Sequence, residues 1–316
     1  MKHYTRTLSL FLFISVLFGQ TTYVPDDNFE QALIDLGYDD VLDDYVVTDS
    51  INSVTSLDVG EKDISDLTGI EDFTALTILS CGQNQLTSLD VSSNTALTIL
   101  SCRNNQLTSL DVSTNTSLTS LRCYDNQLTS LDVSANTALT YLYCYTNQLA
   151  ALDVSANTAL TLLTCSINEL TALDVSNNTA LTTLYCRSNQ LTALDVSANT
   201  ALTYLNCRNN QLTSLDVSNN TALTELRCEI NDLTSLDVSN NTALATLECH
   251  QNQITALDMS ANTALTSLRC DSNELTYLNM KNGVTDALTT FNATNNDSLT
   301  CIETLDPDYA TENWTY

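Results

Sequence analysis

The stretch Thr98–Leu118, TILSCRNNQLTSLDVSTNTSL, decides the fold, because it returns almost unchanged along most of the chain. Its apolar positions are Leu100, Cys102, Leu107, Leu110, Val112 and Leu118, and Asn105 and Asn115 follow the two short runs. Leu-x-Cys and Leu-x-Val both alternate with a period of two, which fits a brief strand and not a helix. The repeat is marked by Cys81, Cys102, Cys123, Cys144, Cys165, Cys186, Cys207, Cys228, Cys249 and Cys270, spaced by 21 residues, too few for a helical return. One unit cannot bury its own apolar face, whereas stacked units share a continuous core. The expected fold is therefore a β-solenoid of about ten 21-residue coils with two short strands in each. At the spacing of parallel strands, about 4.8 Å per coil, such a rod is on the order of 48 Å long.

The motif LxxLxCxxNxL followed by xxLDVSxN resembles the leucine-rich repeat family. The likeness is to its short bacterial class of 21 residues with two nested motifs, of the Bacteroidetes type, and covers residues 54–302. In that family cysteine commonly replaces leucine at the end of the first strand, as Cys102 does here. The resemblance implies a secreted or surface-exposed bacterial binding scaffold and not a catalyst. Residues 21–53 contain YVPDDNFEQALIDLGYDDVLDDYVVTDSINS, which resembles the amino-terminal cap of such proteins, and a helix around Asn28–Leu36 is expected to close the first coil. The segment LTCIETLDPDYATENWTY resembles the start of a closing segment; related chains usually continue into a further cysteine and a sorting domain, so residues 303–316 are expected to be a truncated version of it.

Lys2, His3 and Arg6 precede the apolar run Leu8–Phe18, with small or polar residues at 19–22, the pattern of a secretory signal peptide over residues 1–20. That run is too short to span a bilayer, and no later stretch is apolar enough for membrane insertion. The chain carries 38 acidic and 10 basic residues, a net charge of -28. Loss of Lys2 and Arg6 with the leader leaves 8 basic residues and a charge of -30. Nucleic acid is excluded as a partner by charge repulsion. Catalysis lacks parts: beyond the leader stand one histidine, His250, and two lysines, Lys62 and Lys281, so Ser-His-Asp, Cys-His and HExxH arrangements cannot be assembled.

Each ladder has a structural reading first. Parallel inward cysteines about 4.8 Å apart are too widely set for disulfides, whose Cβ atoms want about 3.8 Å, so they are read as free thiols acting as small core hydrophobes. Cys301 breaks the rhythm and is the candidate for a disulfide. The asparagines after each run are read as satisfying backbone groups at the corners. Asp111, Asp132, Asp153 and Asp174 belong to an outward row that recurs once per coil. Its bland reading is a solvated acidic face, and its sharper one is a calcium row, with serine hydroxyls as further hard ligands. No other cofactor is expected.

The residues that vary lie around the Leu-x-Cys strand: Ile99, Ser101 and Arg103 become Tyr141, Tyr143 and Tyr145 two coils on. This face carries Arg103, Arg122, Arg187, Arg208, Arg227 and Arg269 together with Tyr124, Tyr141, Tyr143, Tyr145, Tyr185 and Tyr204, and Glu225, Glu229, Glu248 and His250 extend it with opposite charge. Tyrosine and arginine are the types that most often carry interface energy. The reading is a monomeric recognition or adhesion scaffold for a protein or glycan. A rigid spacer is the alternative, and an ice-binding rod is a remote third.

Overall fold

A computed structural model describes residues 19–314, so the leader expected at 1–20 lies almost wholly outside the described residues. The architecture is a parallel β-solenoid with a small cap at each end. In the amino-terminal cap, β1 (Thr21–Tyr23) pairs antiparallel with β2 (Tyr45–Val47) around α1 (Asp27–Asp35), and a single turn, α2 (Thr48–Ile51), leads into the coils. The coil strands are β3 (Ser56–Asp58), β4 (Ile78–Ser80), β5 (Ile99–Ser101), β6 (Ser120–Arg122), β7 (Tyr141–Tyr143), β8 (Leu162–Thr164), β9 (Thr183–Tyr185), β10 (Tyr204–Asn206), β11 (Glu225–Arg227), β12 (Thr246–Glu248), β13 (Ala256–Asp258), β14 (Ser267–Arg269), β15 (Tyr277–Met280), β16 (Thr290–Asn292) and β17 (Ile302–Thr304). A last helix, α3 (Pro307–Asn313), follows.

Twelve of these strands form one sheet, running from β3 to β16 without β13 and β15, and residue pairs with its counterpart in the next coil, as Leu100 does with Leu121. The expectation of two strands per coil holds only at the carboxyl end, where β13, β15 and β17 make a second, three-stranded sheet. In the preceding coils the Leu-x-Val half is extended but unpaired. The outward residues differ as well. Aspartate faces aspartate along most of the row, whereas Asp258 meets Asn279, whose Nδ2 donates to Asp258 Oδ1 at 3.0 Å as Met259 N–H donates to Asn279 O at 2.9 Å. At β13 and β15, pairing thus coincides with the replacement of a facing aspartate by asparagine.

Inside, Leu100, Cys102, Leu107, Val112 and Leu118 are fully buried and Leu110 nearly so, and the same positions repeat in every full coil. Ten cysteines lie in this core as free thiols, and Cys301 is exposed and free. Burial pushes the ladder thiols up, Cys102 and Cys165 to about 12. The first asparagine row is fully engaged: Asn126 Nδ2 donates to the carbonyls of Cys102 at 3.1 Å and Cys123 at 3.2 Å, and its Oδ1 accepts from Leu107 N–H at 3.0 Å. In the second row Asn115 Nδ2 donates to Val91 O and Asn94 O, both at 3.0 Å, while its Oδ1 has no hydrogen-bond partner among the described residues. A carbonyl oxygen is the cheaper group to leave so.

The residue two after each ladder cysteine takes a left-handed backbone, from Gln83 at φ 56° through Ile167 at 54° to Ser272 at 56°. This turn aims its own N–H along the stack: Asn104 N–H donates to Tyr124 O at 3.0 Å and Ile167 N–H to Arg187 O at 2.9 Å. At the start, Asp26 caps α1 through Asn28 N–H and Phe29 N–H, both at 3.0 Å, and its other oxygen accepts from Ser65 Oγ at 2.7 Å and Ser65 N–H at 2.8 Å. Gly69, at φ 105°, passes so near Tyr23 and Val24 that a Cβ would sit 2.9 Å from each. At the other end Trp314 stacks on Phe291 with ring centres 4.3 Å apart, covering the last coil.

Candidate functional site

Strand alternation sends the residues on either side of each Leu and Cys outward, and the 21-residue register stacks them into columns. Arg122, Tyr124, Tyr143, Tyr145, Tyr185 and Arg187 are thereby gathered around one hollow of about 600 Å³. Its floor is Thr164, the last residue of β8, and Ser166 just beyond that strand, both nearly buried. These two small residues make the hollow, because the coils before and after carry bulky side chains at the same places. In the sequence the walls are marked by the tyrosine columns, and the floor only by the gap in the aromatic column at one coil.

The walls are pre-stacked. Tyr124 and Tyr145 lie 4.3 Å apart and nearly parallel, at 12°. Arg122 lies over the Tyr143 ring at 5.5 Å and Arg103 over Tyr124 at 5.9 Å, distances at which a guanidinium is attracted to a ring face. Tyr185 packs against Tyr204 at 4.5 Å. Burial, then the neighbouring Tyr124, pushes the Tyr145 phenol up to about 12, and burial does the same to Tyr204, so both stay neutral donors.

The other expected site residues fall elsewhere. Tyr141 is exposed and lies outside the hollow's lining, and Arg103 helps to line a separate hollow of about 330 Å³ with Asp58 and Gly82. Arg208 and Arg227 are spent on acids: Arg208 Nε is 3.5 Å from Glu229 Oε1, and Arg227 reaches Glu225 at 2.6 Å and Glu248 at 3.5 Å. Arg269 pairs with Asp271 at 3.4 Å. Burial, then the charge of Arg269, lowers the His250 imidazole below its usual range.

The aspartate row is solvent-facing, and each member completes its own turn: Asp111 Oδ1 accepts from Ser113 N–H at 2.9 Å, Asp132 Oδ1 from Ser134 N–H at 2.9 Å, Asp153 Oδ1 from Ser155 N–H at 2.8 Å and Asp174 Oδ1 from Ser176 N–H at 2.9 Å. The serine hydrogen bonds hold these carboxyls below their usual range. Among the described residues, none of the four belongs to a trio of metal-ligating side chains with ligand atoms within 4.8 Å of one another. The outward threonines spend their hydroxyls too, Thr119 Oγ1 donating to Thr98 O at 3.1 Å and Thr140 Oγ1 to Thr119 O at 3.0 Å. No helix among the described residues is long and apolar enough to cross a membrane.

Comparison with known proteins fits this geometry. The functional domain of InlJ from Listeria monocytogenes, which includes a cysteine ladder, superimposes with a TM-score of 0.69 at 35% identity, over 91% of this chain and 76% of that one. An internalin, inlF, of Listeria monocytogenes strain 4b F2365 gives 0.71 at 24% identity over 91% and 92%, and a leucine-rich repeat protein of Leptospira interrogans 0.72 at 22% over 83% and 70%, likenesses of fold. In sequence, Internalin J of Listeria monocytogenes serotype 4b is 45% identical over 80 residues, which is 24% of this chain. That match spans only 9% of the relative's length. A family model described as the LVIVD repeat matches residues 192–227, where two Leu-Asp-Val segments fall. The 21-residue register, the ladder of buried cysteines and the likeness to the InlJ domain together identify this chain as a member of the leucine-rich repeat family.

Proposed function

We propose that the protein is a recognition or adhesion scaffold, secreted or held at a bacterial surface, that binds a protein or glycan as a monomer. The observation that carries this reading is the hollow of about 600 Å³ between Tyr143, Tyr145 and Tyr185, flanked by Arg122 and Arg187, on an otherwise acidic rod. Pre-stacked rings lose little freedom on binding, which is where affinity is usually forfeited. Sugar rings and aromatic or aliphatic side chains fit the ring faces, and the two guanidiniums, three coils apart, each offer paired donors to an acidic group at their own side of the hollow. Kinship with the InlJ domain supports a binding role over a catalytic one.

The test is an array of glycans and host or matrix proteins probed with the protein and with a Tyr143→Ser, Tyr145→Ser, Tyr185→Ser variant. A partner whose affinity falls at least tenfold in the variant, while Tyr141→Ser leaves it unchanged, supports the reading. Partners that ignore the triple substitution, or no partner at all, would favour a rigid spacer.

A further inference from the structure

Three side chains further along the same face have no place in the aromatic hollow. Glu229 follows Cys228, while Glu248 and His250 flank Cys249. The coil register sets Glu229 beside His250, and strand alternation brings Glu248 to the same side. One ligand atom from each lies within 4.8 Å of the other two, and this is the one such trio among the described residues. Glu229 is fully buried and His250 is 7% exposed. Glu229 Oε1 has Arg208 Nε at 3.5 Å without hydrogen-bond geometry, and neither of its oxygens has a hydrogen-bond partner among the described residues. His250 Nδ1 is buried and likewise without one. A carboxylate withdrawn from water needs donors or a cation to offset its lost hydration, and two guanidiniums that make no hydrogen bond to it, Arg208 at the limit of ion pairing and Arg227 farther off, leave part of that need unmet.

We propose that Glu229, Glu248 and His250 form a binding site for a divalent transition-metal ion, zinc above all. Two carboxylates and an imidazole are a nitrogen-and-oxygen donor set that suits zinc, with water as a fourth ligand. Calcium and magnesium want six or more oxygens, which three side chains including an imidazole do not supply. Tetrahedral zinc with ligands at about 2.1 Å sets its donors roughly 3.4 Å apart. Rotation of the Glu248 side chain provides the contraction, at the expense of its 3.5 Å ion pair with Arg227. The backbone beneath is fixed, with Ile230 N–H donating to His250 O at 3.1 Å and Asn252 Nδ2 to Cys249 O at 3.0 Å. The bound ion ties two adjacent coils together through their side chains at this face. It stands independently of whether the aromatic hollow takes a ligand.

The full chain, kept reduced, is equilibrated with zinc chloride, passed through a desalting column and assayed for metal by mass spectrometry. The expected result is one zinc per chain, with affinity at least tenfold weaker in Glu229→Gln and in His250→Gln, a melting temperature raised by zinc in the wild type only, and no displacement by calcium. Cobalt(II) titration of the unsubstituted protein needs no variant: its spectrum is expected to show ligand-field bands without a sulfur-to-cobalt charge-transfer band. No retained zinc, equal retention by both variants, displacement by calcium, or a sulfur charge-transfer band would each overturn the site, the last by assigning the metal to thiols.

Discussion

At Ile167 a β-branched, exposed side chain occupies a backbone at φ 54°, a region that costs an L-residue roughly 1–2 kcal/mol and that asparagine tolerates better. Ile167→Asn is therefore expected to stabilise the protein by up to about 0.5 kcal/mol in urea unfolding, relief of the backbone strain being partly offset by the apolar area that the 40% exposed side chain still buries. No reading of the sequence reached this turn. The position is filled by Gln83, Asn104, Asp125, Thr146 and Ile167 in successive coils, with none of the glycine that usually marks a left-handed residue. What holds it is the N–H it delivers to the next coil, a tertiary cause with no local signature. The thiols behave in the opposite way, because their burial was legible from spacing alone. With the ladder cysteines raised and sealed, a thiol reagent at neutral pH is expected to modify Cys301 alone in the native protein and the remaining ten only after unfolding. Rapid native labelling of several cysteines would contradict the sealed core.

Among the elements, the amino-terminal cap depends on one carboxylate. Burial alone would raise the Asp26 carboxyl, but hydrogen bonds from Ser65, Phe29 and Asp66 outweigh it and hold the group below its usual range. A depressed folded pKa means stability that is present above the unfolded value, about 3.9, and is lost as pH falls through the folded one. Asp26→Ala is expected to cost on the order of 2–3 kcal/mol at pH 7, and the gap between wild type and variant should narrow as pH falls from the unfolded value through the lowered folded one, in acid unfolding followed by circular dichroism. A deeper cut is Asn126→Ala, which orphans Leu107 N–H and takes one of two asparagine donors from each of the carbonyls of Cys102 and Cys123, leaving those of Asn105 and Asn147. Its expected cost is about 3 kcal/mol or more by thermal melting, at the level of a lost core network. These corner roles follow from the repeat, as does the Leu-x-Cys sheet. The missing second ladder did not, because Leu-x-Val has the same alternation as Leu-x-Cys. In the same manner the pairing of Arg208 with Glu229 is one coil step in the sequence, visible once the register is applied and hidden while the arginines are counted as a set.

For the whole molecule the dominant field is its charge of -28, much of it in a row whose members face one another at coil spacing. Screening by salt should raise the melting temperature, most steeply at low ionic strength where exposed charges act furthest. Substituting Asp132, Asp153 and Asp174 by Asn is expected to flatten that dependence; a calcium shift beyond that of equal ionic strength, lost in this variant, would give the row a second role. The backbone connects the coils unequally. One flank carries an unbroken seam of twelve hydrogen-bonded strands, while the opposite flank has such pairing only at its last three. Pulled or bent, a rod built this way does not stretch evenly: its seam serves as the spine of a book whose pages are the coils. Load opens the far edges first, and the molecule yields by fanning before any part of the core is surrendered.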